Sequence, residues 1–379
     1  MHILIAPNAY KNSLTAIEAA EAIRLGLEQS DLNCTSECFP VGDGGDGTGS
    51  LIVRQCRGKD IRVTVPDPFG RMIESSFGLI DNEQTAVIEM ANASGLRLLA
   101  QHELNPLRAS SAGTGELIRA ALDRGVKRIV IGMGGSATVD GGTGILQALG
   151  IRFLDDRGQV LSGMPESLVR LNKVDASGLD PRVGECEFVV LCDVDNPLLG
   201  KQGAAAVFGP QKGANPDDVQ KLDAALTVFS EVTLKQTGRD MATLMYGGTA
   251  GGAAAGLCAW LNANLVNGID YFLQLTGFDA ALQRSGLLIT GEGSIDLQTL
   301  QGKAPAGVAR KAKERGLPVI AFSGRVELDN HDRLKQCFDV VLPIGNEPCD
   351  LQQAMRLTSA NLTRTARELG NLLALNPAR

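Results

Sequence analysis

The residues able to do chemistry collect in five short stretches, PNAYKNS, GDGGDG, GMGGSATVDGG, CDVDNP and TGEGSID, each following an apolar run. Every stretch but the first joins carboxylates to turn-forming sequence, and the first carries Lys11. Phosphoryl transfer from a nucleotide asks for this inventory: backbone donors for phosphates, hard oxygen ligands for Mg2+, a cation for the moving charge, and a base to orient the attacking hydroxyl. On chemistry and position, Asp193, Lys11 and Glu292 are the candidate catalytic residues, with Asp193 as general base or Mg2+ ligand and Asp195 as its fallback. Asp43, Asp46 and Lys303 are candidates for holding a substrate, and Asp193 and Asp296 for a metal. Each has an ordinary alternative: Asp-Gly pairs make turns, Glu292 and Asp296 can cap a following helix, and lysines commonly face solvent.

The stretch Arg128 to Gly144, RIVIGMGGSATVDGGTG, runs an apolar strand into a loop with almost no side chains. Glycine permits positive φ and lets N–H groups approach an anion, and a helix starting beyond the loop would add its positive end. Gly134, Gly135, Ser136 and Thr138 are therefore assigned to the phosphates of a bound nucleotide, ATP in this reading.

No GxxxxGK[ST] sequence occurs, which removes the ordinary P-loop, and the protein-kinase motifs are absent. Gly132, Gly134 and Ala137 do fit G-x-G-x-x-A after a strand, with Asp155 near the place of a ribose-binding acid. A nicotinamide-dependent oxidoreductase is thus the rival enzyme, but it leaves the acidic stretches at 43–47, 193–196 and 291–296 without a task. His2, His102 and His331 have no supporting motif, which disfavours Ser-His-Asp or metal-His chemistry.

Composition narrows the partners. The formal charge is −7 and aromatics make up 4%, so neither a basic surface for nucleic acid or anionic lipid nor a stacking platform is supported. Eight cysteines with no C-x-x-C pair read as reduced, mostly buried thiols of a cytoplasmic protein. The uncharged stretch from Met241 to Ile269 is too rich in Gly and Asn to span lipid and reads as a glycine-rich loop feeding a buried helix. A homodimer is left open.

The elements that must position these residues follow from periodicity. A strand at His2 to Ala6 leads to a helix opened by a Thr15–Glu18 capping box, and a second strand at Cys34 to Val41 leads to a helical segment ending at Arg57. Short strands at Ile61 to Val65, Arg71 to Ile80 and Thr85 to Met90 look antiparallel. A helix over Thr114 to Arg124, the Ile129 strand, a strand at Phe188 to Leu191 and a helix capped by Asn215 follow. The last hundred residues return to α/β alternation, with strands at Leu287 to Thr290, Val319 to Phe322 and Val340 to Ile344 and a closing helix from Leu351 to Leu372. Two strands at the start and three at the end predict a flavodoxin-like parallel sheet of order 2-1-3-4-5, formed by residues 1–58 and 285–379. An inserted second α/β domain with a mixed sheet then occupies 59–284, and the site is expected between the two.

The motifs IAPNAYKNSL, PVGDGGDGT, DPFG, IEMANASGL, GTGELI, IGMGGSATVDGG, CDVDNPLLG, FGPQKGA and TGEGSIDLQTLQGKAPAGVA line up in order over essentially the whole chain. In them the sequence resembles the bacterial type I glycerate kinases. The resemblance implies ATP-dependent phosphorylation of D-glycerate to 2-phosphoglycerate by a flavodoxin-like domain interrupted by a second α/β domain. Asn8 and Asn12 stand where acidic residues are usual in that family, Asp46 where glutamate is usual, and Val139 where asparagine is usual. Beside the kinase and the oxidoreductase stands a non-catalytic nucleotide or metabolite sensor, and all three are separated by assay.

Overall fold

A computed structural model describes residues 1–162, 165–296, 299, 303–327 and 331–375. Within the motif at 290–309, Leu297, Gln298, Leu300, Gln301 and Gly302 lie outside the described residues, as does the side chain of His331. The chain divides into two compact units, Met1–Asp43 with Ile269–Arg379, and Gly44–Gly268. In chain order the strands are β1 (His2–Ile5), β2 (Thr35–Cys38), β3 (Lys59–Pro66), β4 (Met72–Ile80), β5 (Thr85–Glu89), β6 (Arg128–Gly132), β7 (Arg152–Leu154), β8 (Lys173–Asp175), β9 (Glu187–Cys192), β10 (Asn264–Asn267), β11 (Leu287–Ile295), β12 (Val319–Val326) and β13 (Val340–Pro343).

Unit 1 is a parallel sheet of order β13-β12-β11-β1-β2. Its central strands are apolar runs because both faces are covered by helices. Ile3, Ile5, Leu287, Ile289 and Phe322 pack beneath Ile23 and Leu27 of the helix Ala16–Glu28 and Leu362 and Leu369 of the helix Thr358–Ala374. The expected capping box is present: the Glu18 amide donates to Thr15 Oγ1 at 3.2 Å and the Thr15 amide to Glu18 Oε2 at 2.8 Å. The single closing helix is in fact two, Leu351–Arg356 and Thr358–Ala374. Thr358 Oγ1 donates back to the Ala354 carbonyl at 3.1 Å, a local bond that competes with the helical ladder where the break falls.

Strands β11 and β12 run well beyond their apolar cores, and their pairing continues through Ser294 with Arg325 and Ile295 with Val326. Glu292 therefore sits on a strand, not in the loop the sequence suggested. Gly291 permits this, since a Cβ there would lie 2.2 Å from the Phe322 carbonyl oxygen.

Unit 2 carries a six-stranded mixed sheet, β10-β9-β6-β5-β4-β3, parallel from β10 to β5 and antiparallel from β5 to β3, with a separate antiparallel pair β7-β8. Phe77, Ile88, Ile131, Phe188 and Phe229 are buried in its core, and Phe153 meets Phe229 edge to face at 5.7 Å. The helix Pro216–Thr237 starts as expected, with Asn215 accepting from the amides of Asp217 and Asp218 at 2.9 and 3.0 Å. The buried helix in the uncharged stretch is Ala253–Leu261, and β10 follows it as an edge strand too short and polar to be read from sequence. Among the described residues no helix is long and apolar enough to cross a membrane.

The first break between the units falls at Asp43/Gly44, earlier than the expected 58/59 boundary. The helix Thr48–Gln55 belongs to unit 2 because Glu89, at the end of β5, accepts from the Gly47 and Ser50 amides at 3.3 and 3.0 Å at its N-terminus. The second break falls at Gly268/Ile269, before the expected 284/285. The eight cysteines are free thiols, but only Cys192 is buried; the expectation of mostly buried thiols fails because most of them stand near the ends of elements or in loops.

Candidate active site

In unit 1 the acids gather from the carboxyl ends of β2 and β11, beside the segment that follows β1. Asn8, following β1, donates through Nδ2 to Asp43 Oδ2 at 3.1 Å, and the Ala304 amide, first in the helix Ala304–Glu314, points to the same oxygen at 3.4 Å. An asparagine at position 8 is thus a donor to the neighbouring carboxylate, where an acid would repel it. Glu292 is 8% exposed, and its Oε1 accepts from Thr299 Oγ1 at 2.6 Å. Burial pushes its carboxyl up to about 7, with Asp43 and Asp296 adding to the rise while the Thr299 hydroxyl and Lys303 oppose it. Tyr10 lies beneath, donating to the Phe322 carbonyl at 2.9 Å, and its phenol is raised by burial and by Glu292.

Lys11, Glu292, Asp296 and Lys303 line one cleft of about 350 Å3, together with Arg325, which sequence reasoning passed over. The cleft opens at the carboxyl edge of the parallel sheet, where ligands of such sheets bind.

In unit 2 the glycine loop follows β6 as expected, but its backbone is largely engaged. The Gly134 amide donates to the Gly44 carbonyl at 3.0 Å and the Ala137 amide to the Ser94 carbonyl at 2.8 Å. A Cβ at Gly134 would lie 2.4 Å from Gly45 Cα, so this glycine is required by the packing of two loops, and a bulky residue there reports on folding. Gly135, at φ +71°, is exposed, whereas Ser136 and Thr138 are buried.

The expectation that the following helix offers its positive end to phosphate is corrected. That helix, Thr143–Ala148, is already capped by Asp140, fully buried, which accepts from the amides of Ser111, Gly142 and Gly144 at 2.9, 3.0 and 3.2 Å and from Ser111 Oγ at 2.6 Å. The carboxylate fills the place an external anion would take.

Beneath the loop lies Lys212, 2% exposed, whose Nζ donates to Ser136 Oγ and to the Thr138 carbonyl, both at 2.8 Å. Burial lowers its ammonium to about 7, and Asp140 and Asp193 pull it back up. Asp193 follows β9 and is partly buried; Asp195 is exposed. Asp46 is exposed and pairs with Arg97 at 3.2 Å. Asp155, the ribose acid of the oxidoreductase reading, accepts from the amides of Arg157 and Gln159 at 2.9 and 2.8 Å and is spent on a turn.

Lys11, Asp43, Glu292, Asp296 and Lys303 therefore belong to unit 1, and Asp46, Gly134, Gly135, Ser136, Thr138 and Asp193 to unit 2. Lys212 and Glu89 went unread. Their signals were a lysine among the turn residues of FGPQKGA and an acid ending the apolar run of β5.

An acid raised by burial among cations, and a glycine loop seated on a buried lysine, mark an enzyme that handles anionic groups. The chain belongs to the glycerate kinase family, whose model matches residues 3–374. It is 42% identical over 375 residues to the glycerate kinase of Bacillus subtilis, covering 99% of this chain and 98% of that one. To the glycerate 2-kinase of Escherichia coli it is 40% identical over 379 residues, with 99% and 98% covered. The solved structure of a candidate glycerate kinase 2 from Salmonella typhimurium LT2 superposes with a TM-score of 0.85 at 41% identity, covering 99% of both chains.

Proposed function

We propose that this enzyme transfers the γ-phosphoryl group of ATP to the 2-hydroxyl of D-glycerate, giving 2-phosphoglycerate and ADP, with residues from both domains. The observation that carries the reading is the full-length similarity to named glycerate kinases, one of them a 2-kinase, together with a cleft that sets cations beside buried acid. In this reading unit 1 is a flavodoxin-like domain, supported by its all-parallel sheet.

The bond that forms joins the C2 oxygen to the γ-phosphorus, and the bond that breaks is the bridge to the β-phosphate. Asp193 orients the hydroxyl and accepts its proton late in a loose transition state. Lys11 stands by the moving charge, and Glu292 assists as the third catalytic group. Asp43, Asp46 and Lys303 hold glycerate, and Gly134, Gly135, Ser136 and Thr138 hold the nucleotide's phosphates.

Mg2+ fits the donor set: burial is the main cause of the raised Glu292 carboxyl, the nearby carboxylates of Asp43 and Asp296 add to it, and a hard cation would relieve that gathering of acid oxygens. Among the described residues no group of three or more His, Cys, Asp or Glu side chains is arranged to hold an ion, so Asp193 and Asp296 would bind it together with phosphate oxygens. When bound, the ion supplies neutralisation of charge on the phosphoryl oxygens. A cytoplasmic location and a homodimer complete the proposal, the latter checked by sedimentation.

The experiment is phosphorus NMR of the product formed from ATP, Mg2+ and D-glycerate. A new phosphate monoester resonance split into a doublet by the single C2 proton is expected. A triplet places the phosphate on C3, and ATP left unconsumed removes the kinase reading.

A further inference from the structure

The unit 1 cleft is lined by two chemically different sets of residues, and a molecule of glycerate's size and charge matches only one of them. One set is polar, Lys11, Lys303 and Arg325 with Glu292; the other is an apolar wall, Ile344, Leu351, Ala354 and Met355. A three-carbon hydroxy acid has no face to lay against that wall. It would also leave most of about 350 Å3 unfilled, a volume within the range of pockets that enclose larger organic ligands.

The wall is built, not incidental. Leu351 is 70% exposed although it opens a helix, so a large apolar side chain is held in the open at the cleft. Asp350 caps that helix by accepting from the Gln353 amide at 2.8 Å. Ser13, another lining residue, donates to the Met355 carbonyl at 2.6 Å, and Arg364 donates to the Ile344 carbonyl at 2.8 Å. Each wall element is thereby tied to the domain by its backbone, leaving the side chains for a ligand.

In the polar set, Lys11 and Arg325 are exposed, and among the described residues neither makes an ion pair. Two such cations beside an apolar wall fit a ligand with a flat apolar head and an anionic tail. Of the two substrates, only the phosphoryl donor has that shape.

We propose that this cleft seats the nucleoside of the phosphoryl donor, its base against Leu351, Ala354 and Met355 and its phosphate chain leading toward Lys11 and Arg325. The inference rests on the kinase reading and adds to it the place of the donor's base.

The test crowds the apolar wall of the full-length enzyme with Met355→Trp, uses Gln352→Trp, an exposed position of the same helix that does not line the cleft, as control, and measures steady-state kinetics in both substrates. Met355→Trp is expected to raise the ATP KM about tenfold or more, the cost of losing roughly one good contact, with the glycerate KM and kcat within about threefold. The control should match wild type. A rise confined to the glycerate KM, or no change in either constant, overturns the proposal. Should Met355→Trp fail to fold, Leu351→Asp, at a solvent-exposed position, carries the test with the same expectations. If wild type yields no product, the kinase reading fails separately, and calorimetry with adenosine still decides the cleft: binding abolished in Met355→Trp supports it, equal binding refutes it.

Discussion

Replacing Glu292 by Gln should make the protein more stable at alkaline pH and leave it unchanged in acid. The carboxyl is 8% exposed and its pKa is raised from 4.5 to about 7, so the folded protein binds this proton more tightly than the unfolded chain does. A group raised on folding contributes stability that is complete below its unfolded pKa and lost as pH climbs to its folded one. The window here runs from about 4.5 to about 7, and the rise of about 2.5 units at 1.36 kcal/mol each amounts to about 3 kcal/mol. Glutamine mimics the protonated acid and keeps an oxygen for the Thr299 hydroxyl now donating at 2.6 Å, so it avoids that loss. Urea unfolding of both proteins between pH 4.5 and 8.5, with EDTA and no nucleotide, gives the difference directly. The two should be equal near pH 4.5, and the variant should gain up to about 3 kcal/mol by pH 8. A difference that is flat with pH, or a variant weaker at pH 8, would falsify the account of Glu292 as an acid held near neutrality by burial.

Asp193→Asn keeps shape and removes charge, so turnover should fall about 10²-fold or more while the thermal midpoint stays at or above wild type; turnover within a few-fold would pass the role to Asp43 or Glu292. Lys212→Met leaves Ser136 Oγ and the Thr138 carbonyl without their buried donor, which should raise the ATP KM more than the glycerate KM. Equal rises in both constants would show that the lysine supports the domain as a whole and not the loop. Asp140→Ala orphans three amides and a hydroxyl at a helix start, and a loss of at least about 3 kcal/mol is expected in chemical unfolding. A loss below about 1 kcal/mol would mean that water replaces the carboxylate.

Local grammar was legible in the sequence wherever the determining atoms lie within a few residues. Thr15 with Glu18, and Asn215 with Asp217 and Asp218, announce helix starts because each cap is made by neighbours in the chain. The strands of unit 1 and the loops at their carboxyl ends were readable for a similar reason: an apolar run followed by glycine and acid is a contiguous pattern. Family membership was readable too, since ordered motifs spanning the chain survive without any knowledge of contacts.

What the tertiary structure alone decided are matters of which distant groups meet. Asp140 and Asp43 are both acids next to glycine, yet one is a buried cap for its own helix and the other lies beside Glu292, and nothing adjacent in sequence distinguishes them. The strand extension of β11 depends on Gly291 admitting the Phe322 carbonyl from another strand. Lys212 looked like a loop residue because its partners, Ser136 and Thr138, are more than seventy positions away. Burial is what turns these side chains into chemistry: desolvation moves Glu292 up and Lys212 down to about 7, and desolvation is a property of the packed surroundings, not of the residue or its neighbours in the chain.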